Sequence, residues 1–178
     1  VIILLGRSPV SMENNVNAIK TLRGLTGAGV MDCKTALDQS GGDMKKAEEF
    51  LREKGIASAK GKASRETNQG LIESYIHSGG RIGALVEANC ETDFVARTED
   101  FKELAHSIAM QVAAMAPKYV DSSEIPEAET ENPEEVCLLL QPFIRNPSKS
   151  VQDLVDETAG KLGENIRIRR FTRFSLGE

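Results

Sequence analysis

Tryptophan is absent from this 178-residue chain, and aromatic residues make up only 4% of it. A surface that stacks the bases of single-stranded nucleic acid needs more rings than that. A basic excess is missing too. There are 22 Lys and Arg against 27 Asp and Glu, a net charge of −5. Proteins that grip nucleic acid carry a basic footprint, so no direct nucleic-acid contact is expected. Long apolar runs are also lacking. The start, Val1 to Leu5, is apolar for five residues and lacks the basic region of a signal peptide. No membrane partner is expected.

Groups for covalent or metal chemistry are scarce. Cys33, Cys90 and Cys137 are odd in number, far apart and without a CxxC pair, and read as reduced thiols of an intracellular compartment. His77 and His106 share no ligand spacing with them, so neither a metal nor another cofactor is expected. Two histidines give too little for a nucleophile–base–acid set. Cys33 stands beside Lys34, but a small buried Cys explains it better than an activated thiol.

The periodicities divide the chain. Residues 1–13 read as an irregular lead. From Asn14, Val16, Ile19 and Leu22 recur at helical spacing, and Gly27 and Gly29 end the helix. A second helix runs from about Met31 to Gln39 and stops at Gly41-Gly42. Asp43 caps a third, with Ala47, Phe50 and Leu51 on one face and Gly55 at its end. Residues 14–55 thus read as a small three-helix module of ubiquitin-associated type. Residues 56–69, rich in Ala, Ser, Lys and Arg, read as a solvated linker.

Residues 70–178 read as an α+β core in which a three-stranded antiparallel sheet packs on helices. Leu71–His77 is a strand, Gly79-Gly80 a hairpin signal, and a second strand follows from Arg81. Thr98 caps a helix whose apolar positions run from Phe101 to Val112 and which should cover the hairpin. From Asp121 to Glu135 there are seven carboxylates, two prolines and no base, the composition of a loop. Pro142 and Pro147 bracket an extended piece. Ser150 and Asp153 form a capping box for a helix ending at Gly163. Asn165–Leu176 reads as a long strand whose alternation changes phase, so a bulge is expected near Arg169-Arg170. Its arginines read as the exposed face of that strand.

The centre of the chain is Ile82–Arg97. Ile82, Ala84, Val86, Ala88 and Cys90 alternate with small or polar residues, the pattern of a strand with one buried face. Phe94 then stands in a polar connection between that strand and the helix from Thr98. Such a ring either tucks back onto its own core or is presented for binding.

Cys-Glu-Thr-Asp-Phe-Val-Ala (90–96), Thr-Gly-Ala-Gly-Val-Met-Asp-Cys-Lys (26–34) and Gly-Glu-Asn-Ile-Arg-Ile-Arg-Arg-Phe (163–171) together resemble elongation factor Ts. The likeness covers roughly residues 15–178. Gln-Pro-Phe-Ile-Arg (141–145) and Arg-Arg-Phe-Thr-Arg-Phe (169–174) look most like the short form of cyanobacteria and plastids. The resemblance implies a guanine nucleotide exchange factor for elongation factor Tu, not a conventional enzyme. It works in a plastid stroma if of plastid type, otherwise in a bacterial cytoplasm. It implies that Thr92, Asp93, Phe94 and Val95 form the exchange loop, with the Phe inserted between two helices of the partner's GTPase domain near its magnesium and phosphate region. It also implies a second contact through Arg23, Val30 and Met31, with Val30 in place of a more usual Met. For Val30 and Met31, packing among the three helices is the alternative. The family's long helical insertion in the 117–147 region is much shortened here. A homodimer through an open sheet edge or face, and a ribosome-associated or other binding module that has lost exchange, remain open. So does an enzyme using Cys33 or Cys90.

Overall fold

Proline opens the first helix. In the computed structural model, which describes residues 9–177, α1 spans Pro9–Thr26. The lead expected to be irregular up to residue 13 is therefore helical from Pro9, and its residues 1–8 lie outside the described part. Proline suits a first helical turn, because its fixed φ is already helical and its missing N–H would have had no partner there. Helices α2 (Val30–Gln39) and α3 (Met44–Lys60) follow. Asp43 caps α3 through its carboxylate, which accepts from the Lys45 and Lys46 amides. Leu22, Cys33, Ala36, Leu37, Ala47 and Leu51 make a small core among the three helices.

Gly55 does not end α3. It lies where α3 crosses α7 (Val151–Leu162), and a Cβ placed on Gly160 would fall 2.6 Å from the Gly55 carbonyl carbon. Two glycines let two backbones touch, so Gly55 serves a crossing and not a stop. The helix continues through good helix formers into the stretch expected as linker, and Ala59 joins the larger core.

That core lies under a three-stranded antiparallel sheet. Strands β1 (Gln69–Ile76) and β2 (Ile82–Cys90) form a hairpin through Gly79 and Gly80, whose φ values of 90° and 66° suit glycine. β5 (Ile166–Ser175) pairs with the other side of β2, giving the order β1-β2-β5. Glu87 faces Arg170 while Ala88 faces Ile168, so Arg169 is the extra residue of a bulge. The bulge corrects the phase: Ile166 and Ile168 are buried before it, and Phe171 returns to the same core after it.

Between β2 and the covering helix α5 (Glu99–Met115) lies one short turn of helix, α4 (Asp93–Ala96). Thr98 caps α5, whose buried face carries Phe101, Leu104, Ile108 and Val112. The acidic segment is mostly turn and loop up to α6 (Pro133–Val136). The extended piece between Pro142 and Pro147 is a hairpin of two short strands, β3 (Pro142–Phe143) and β4 (Asn146–Ser150), an additional small sheet. The buried Gln111 amide donates to the Gln141 side chain and the Pro142 carbonyl, fastening that hairpin to α5. The Ser150–Asp153 capping box starts α7, and Gly163 ends it at φ 75°. No described helix is long and apolar enough to cross a membrane.

Candidate partner-binding site

β2 delivers its last side chain, Cys90, into the core, and the chain leaves the sheet at Glu91. Thr92 has extended backbone and caps α4: its hydroxyl oxygen accepts from the Val95 amide at 3.4 Å. Asp93 does not cap this turn. It is already inside the helix, and its carboxylate pairs with Arg97 at 2.7 Å one turn on. Val95 is buried and ties the turn to the core. Its neighbour Phe94 points elsewhere and is 78% exposed, so the ring does not tuck back onto its own core. Among the large apolar side chains exposed on the described surface, Phe94 is the most exposed.

The turn has support on both sides. Thr98 begins α5 three residues after Val95, accepting from the Phe101 amide and donating its hydroxyl to the Val95 carbonyl. On the other side stands Glu164, between α7 and β5. One of its oxygens accepts from the Glu91 amide at 3.1 Å and the Thr92 amide at 3.0 Å. The other accepts the Thr92 hydroxyl at 2.6 Å. Glu91 returns the contact, accepting from the Asn165 amide at 2.7 Å and pairing with Arg65 at 3.3 Å. The Asn165 amide, with Arg65 beside it, holds the Glu91 carboxyl below the usual carboxylate range. Two motifs far apart in sequence therefore meet as one reciprocal carboxylate–amide lock. Sequence reasoning singled out both motifs but missed Glu91 and Glu164 as individuals, because no local pattern announces a contact across that separation.

The second expected set lies at the join of α1 and α2. Arg23 is exposed in the last turn of α1. Val30 and Met31 open α2 with exposures of 49% and 68%, and Leu25 is exposed nearby in the chain. Burial of Val30 and Met31 among the three helices is thus not what occurs. Cys33, one turn on, takes the buried position and donates weakly to the Ala28 carbonyl.

The thiols are poorly placed for catalysis. Burial pushes the Cys90 thiol up to about 11, and its S–H donates to the Thr92 carbonyl at 3.1 Å. At neutral pH it is a protonated, inaccessible group, the opposite of an activated nucleophile. Cys33 and Cys137 are buried as well. The arginines of β5 are engaged within the fold: Arg169 and Arg170 pair with Glu87, Arg167 reaches the Ala63 carbonyl, and Arg173 the Ala113 carbonyl.

The family model described as elongation factor TS matches residues 52–136. Elongation factor Ts of Thermoanaerobacter sp. (strain X514) is 48% identical over 194 residues, covering 92% of this chain and 95% of the relative. The chain belongs to the elongation factor Ts family. Its role is that of a translation elongation factor. The elongation factor Ts of the cyanobacterium Rippkaea orientalis is likewise 48% identical, over 93% of this chain and 79% of the relative. That of Thermotoga neapolitana is 47% identical over 94% and 99%. The Thermoanaerobacter alignment runs over more positions than this chain has residues, so that elongation factor Ts holds residues with no counterpart here.

Proposed function

We propose that this elongation factor Ts is a guanine nucleotide exchange factor that binds elongation factor Tu and expels GDP, with Phe94 as the wedge. The observation that carries this reading is the exposure of Phe94 on a capped turn whose neighbour Val95 is buried. A bare ring on a loop held by rigid elements is placed where an apolar pocket of a partner can receive it.

Exchange needs no bond to be made. A factor that binds the nucleotide-free partner more tightly than the nucleotide-bound one weakens nucleotide binding by the same factor. A ten-thousandfold weakening asks for about 5.5 kcal/mol of differential binding. One buried aromatic anchor supplies roughly 2–4 kcal/mol of that. Thr92, Asp93 and Val95 present the ring, and Asp93 engages Arg97 through one of its two oxygens only. Arg23, Val30 and Met31 of the three-helix N-terminal module supply a second foothold on the GTPase domain. The compartment is that of the elongation factor Tu served, bacterial cytoplasm or plastid stroma.

The deciding experiment is stopped-flow release of a fluorescent GDP analogue from elongation factor Tu. Acceleration by the wild-type chain and not by Phe94→Ala supports the wedge. Acceleration by both keeps the function and moves the mechanism to the N-terminal module. No acceleration by wild type favours a partner- or ribosome-binding module without exchange, the reading the shortened middle region motivates. Self-association is a separate matter. Ile72, Ile76, Leu85 and Phe174 are exposed across the three strands, a face suited to a second copy of the chain. Sedimentation over a range of concentrations tests it.

A further inference from the structure

We infer that Glu164 is a positioning residue for nucleotide exchange: its carboxylate sets the direction in which Phe94 is presented. The inference rests on the exchange reading above. Glu164 makes three hydrogen bonds, all to the two residues where the chain leaves β2. The shortest, 2.6 Å from the Thr92 hydroxyl, determines what that hydroxyl can do. With its proton committed to Glu164, the oxygen keeps its lone pairs for the Val95 amide. The cap of α4 is thereby coupled to a residue seventy-two positions away. Charge-assisted bonds of this kind are about twice as strong as neutral ones, and a chain of them polarises cooperatively.

Among the described residues no other side chain holds the Thr92 hydroxyl. The Asp93–Arg97 pair is solvent-exposed and lies within the turn, so it does not orient the turn against the sheet. The Cys90 thiol reaches the Thr92 carbonyl, but as a weak donor. Glu164→Gln leaves one neutral oxygen where two charged oxygens served two backbone amides and a hydroxyl, and puts a donor at the other position. The turn can then pivot about Thr92 while the Asn165 amide still holds Glu91 and Val95 stays in the core. The ring remains present and exposed but no longer fixed in direction. Misplacement of that kind acts on the rate of a bound complex more than on its formation.

The test is nucleotide release from elongation factor Tu at a series of factor concentrations, with wild type, Glu164→Gln, Thr92→Val and Thr92→Ser. Glu164→Gln is expected to lower the rate at saturation about tenfold, the scale of one charge-assisted hydrogen bond. Its half-saturating concentration should stay near wild type, because the α1–α2 surface is untouched. Thr92→Val, which loses the hydroxyl at equal size, should behave alike, and Thr92→Ser should restore the rate. A second readout needs no partner: amide exchange should quicken at Glu91, Thr92 and Val95 in Glu164→Gln while α5 stays protected. An unchanged saturating rate in Glu164→Gln would overturn the inference. So would a loss that follows general destabilisation across α5, or no difference between Thr92→Val and Thr92→Ser. If wild type itself gives no acceleration, the exchange reading fails first, and the amide-exchange pattern still reports whether Glu164 holds the turn.

Discussion

The Phe94 turn and the α1–α2 join both put apolar side chains into solvent, by opposite means. Phe94 is a single ring on a turn fastened at both ends to a sheet and a long helix, with polar groups paired across β2, α7 and β5. Val30 and Met31 sit on a small bundle whose core, among the described residues, is six side chains, three of them Ala or Cys. The first arrangement fixes direction; the second offers area. A wedge must arrive in one orientation, whereas a foothold needs only to be apolar and reachable. On the proposed exchange reading, this division gives rate to the turn and affinity to the bundle, and substitutions can separate the two.

The largest effect is expected from Phe94→Ala. Losing an aromatic anchor of roughly 2–4 kcal/mol should lower the saturating release rate by one and a half to three decades. The ring supports little of its own fold, so the thermal midpoint should hardly move. A midpoint that falls in step with the rate would return Phe94 to the core and erase the contrast.

Gly160→Ala comes next, because it attacks the joint between the two regions. The added methyl would collide with the backbone of Gly55, which cannot give way as a side chain tip does. Forced overpacking of this kind costs about 1–3 kcal/mol. Calorimetry should show the loss, and the half-saturating concentration should rise as the bundle shifts from its place on α7. Arg52–Glu157 crosses the same joint at 2.9 Å and should limit the shift. An unchanged midpoint would mean that the two helices separate without penalty.

Met31→Ala should be smaller, about 1 kcal/mol in affinity, with the saturating rate and the thermal midpoint unchanged. A drop in the rate at saturation would show that the bundle, too, takes part in expelling nucleotide.

Much of this architecture is legible in the sequence where the signal is local. The alternation from Ile82 to Cys90, the Gly79-Gly80 turn, the Ser150 capping box and the phase change at Arg169 all have their causes within a few residues. The errors arise where the cause is distant. Gly55 looks like a helix end because the helix that touches it, at Gly160, is about a hundred residues further on. The hold of Glu164 on the Thr92 hydroxyl, seventy-two positions away, has no local sign at all. The exposure of Phe94 lies between these cases. Its polar surroundings are readable, but the choice between core and solvent depends on Val95 taking the inward position.

The smallest effect is a matter of pH at the root of the turn. The Asn165 amide, followed by Arg65, keeps the Glu91 carboxyl below the usual range in the folded protein. A carboxyl with a lowered folded pKa stabilises the fold fully above its unfolded value, and that contribution disappears as pH falls through the folded value. Neutral solutions therefore hold the lock closed, and acid solutions below the ordinary carboxylate range open it. Glu91→Gln should flatten part of the acid limb of the stability curve, with little change in midpoint at neutral pH because the site is reached by water. The same substitution should leave the α1–α2 foothold indifferent to pH, so acid should lower the saturating rate of wild type before it raises the half-saturating concentration. If both parameters moved together with pH, the turn and the bundle would be one cooperative unit, and the division between direction and area would be lost.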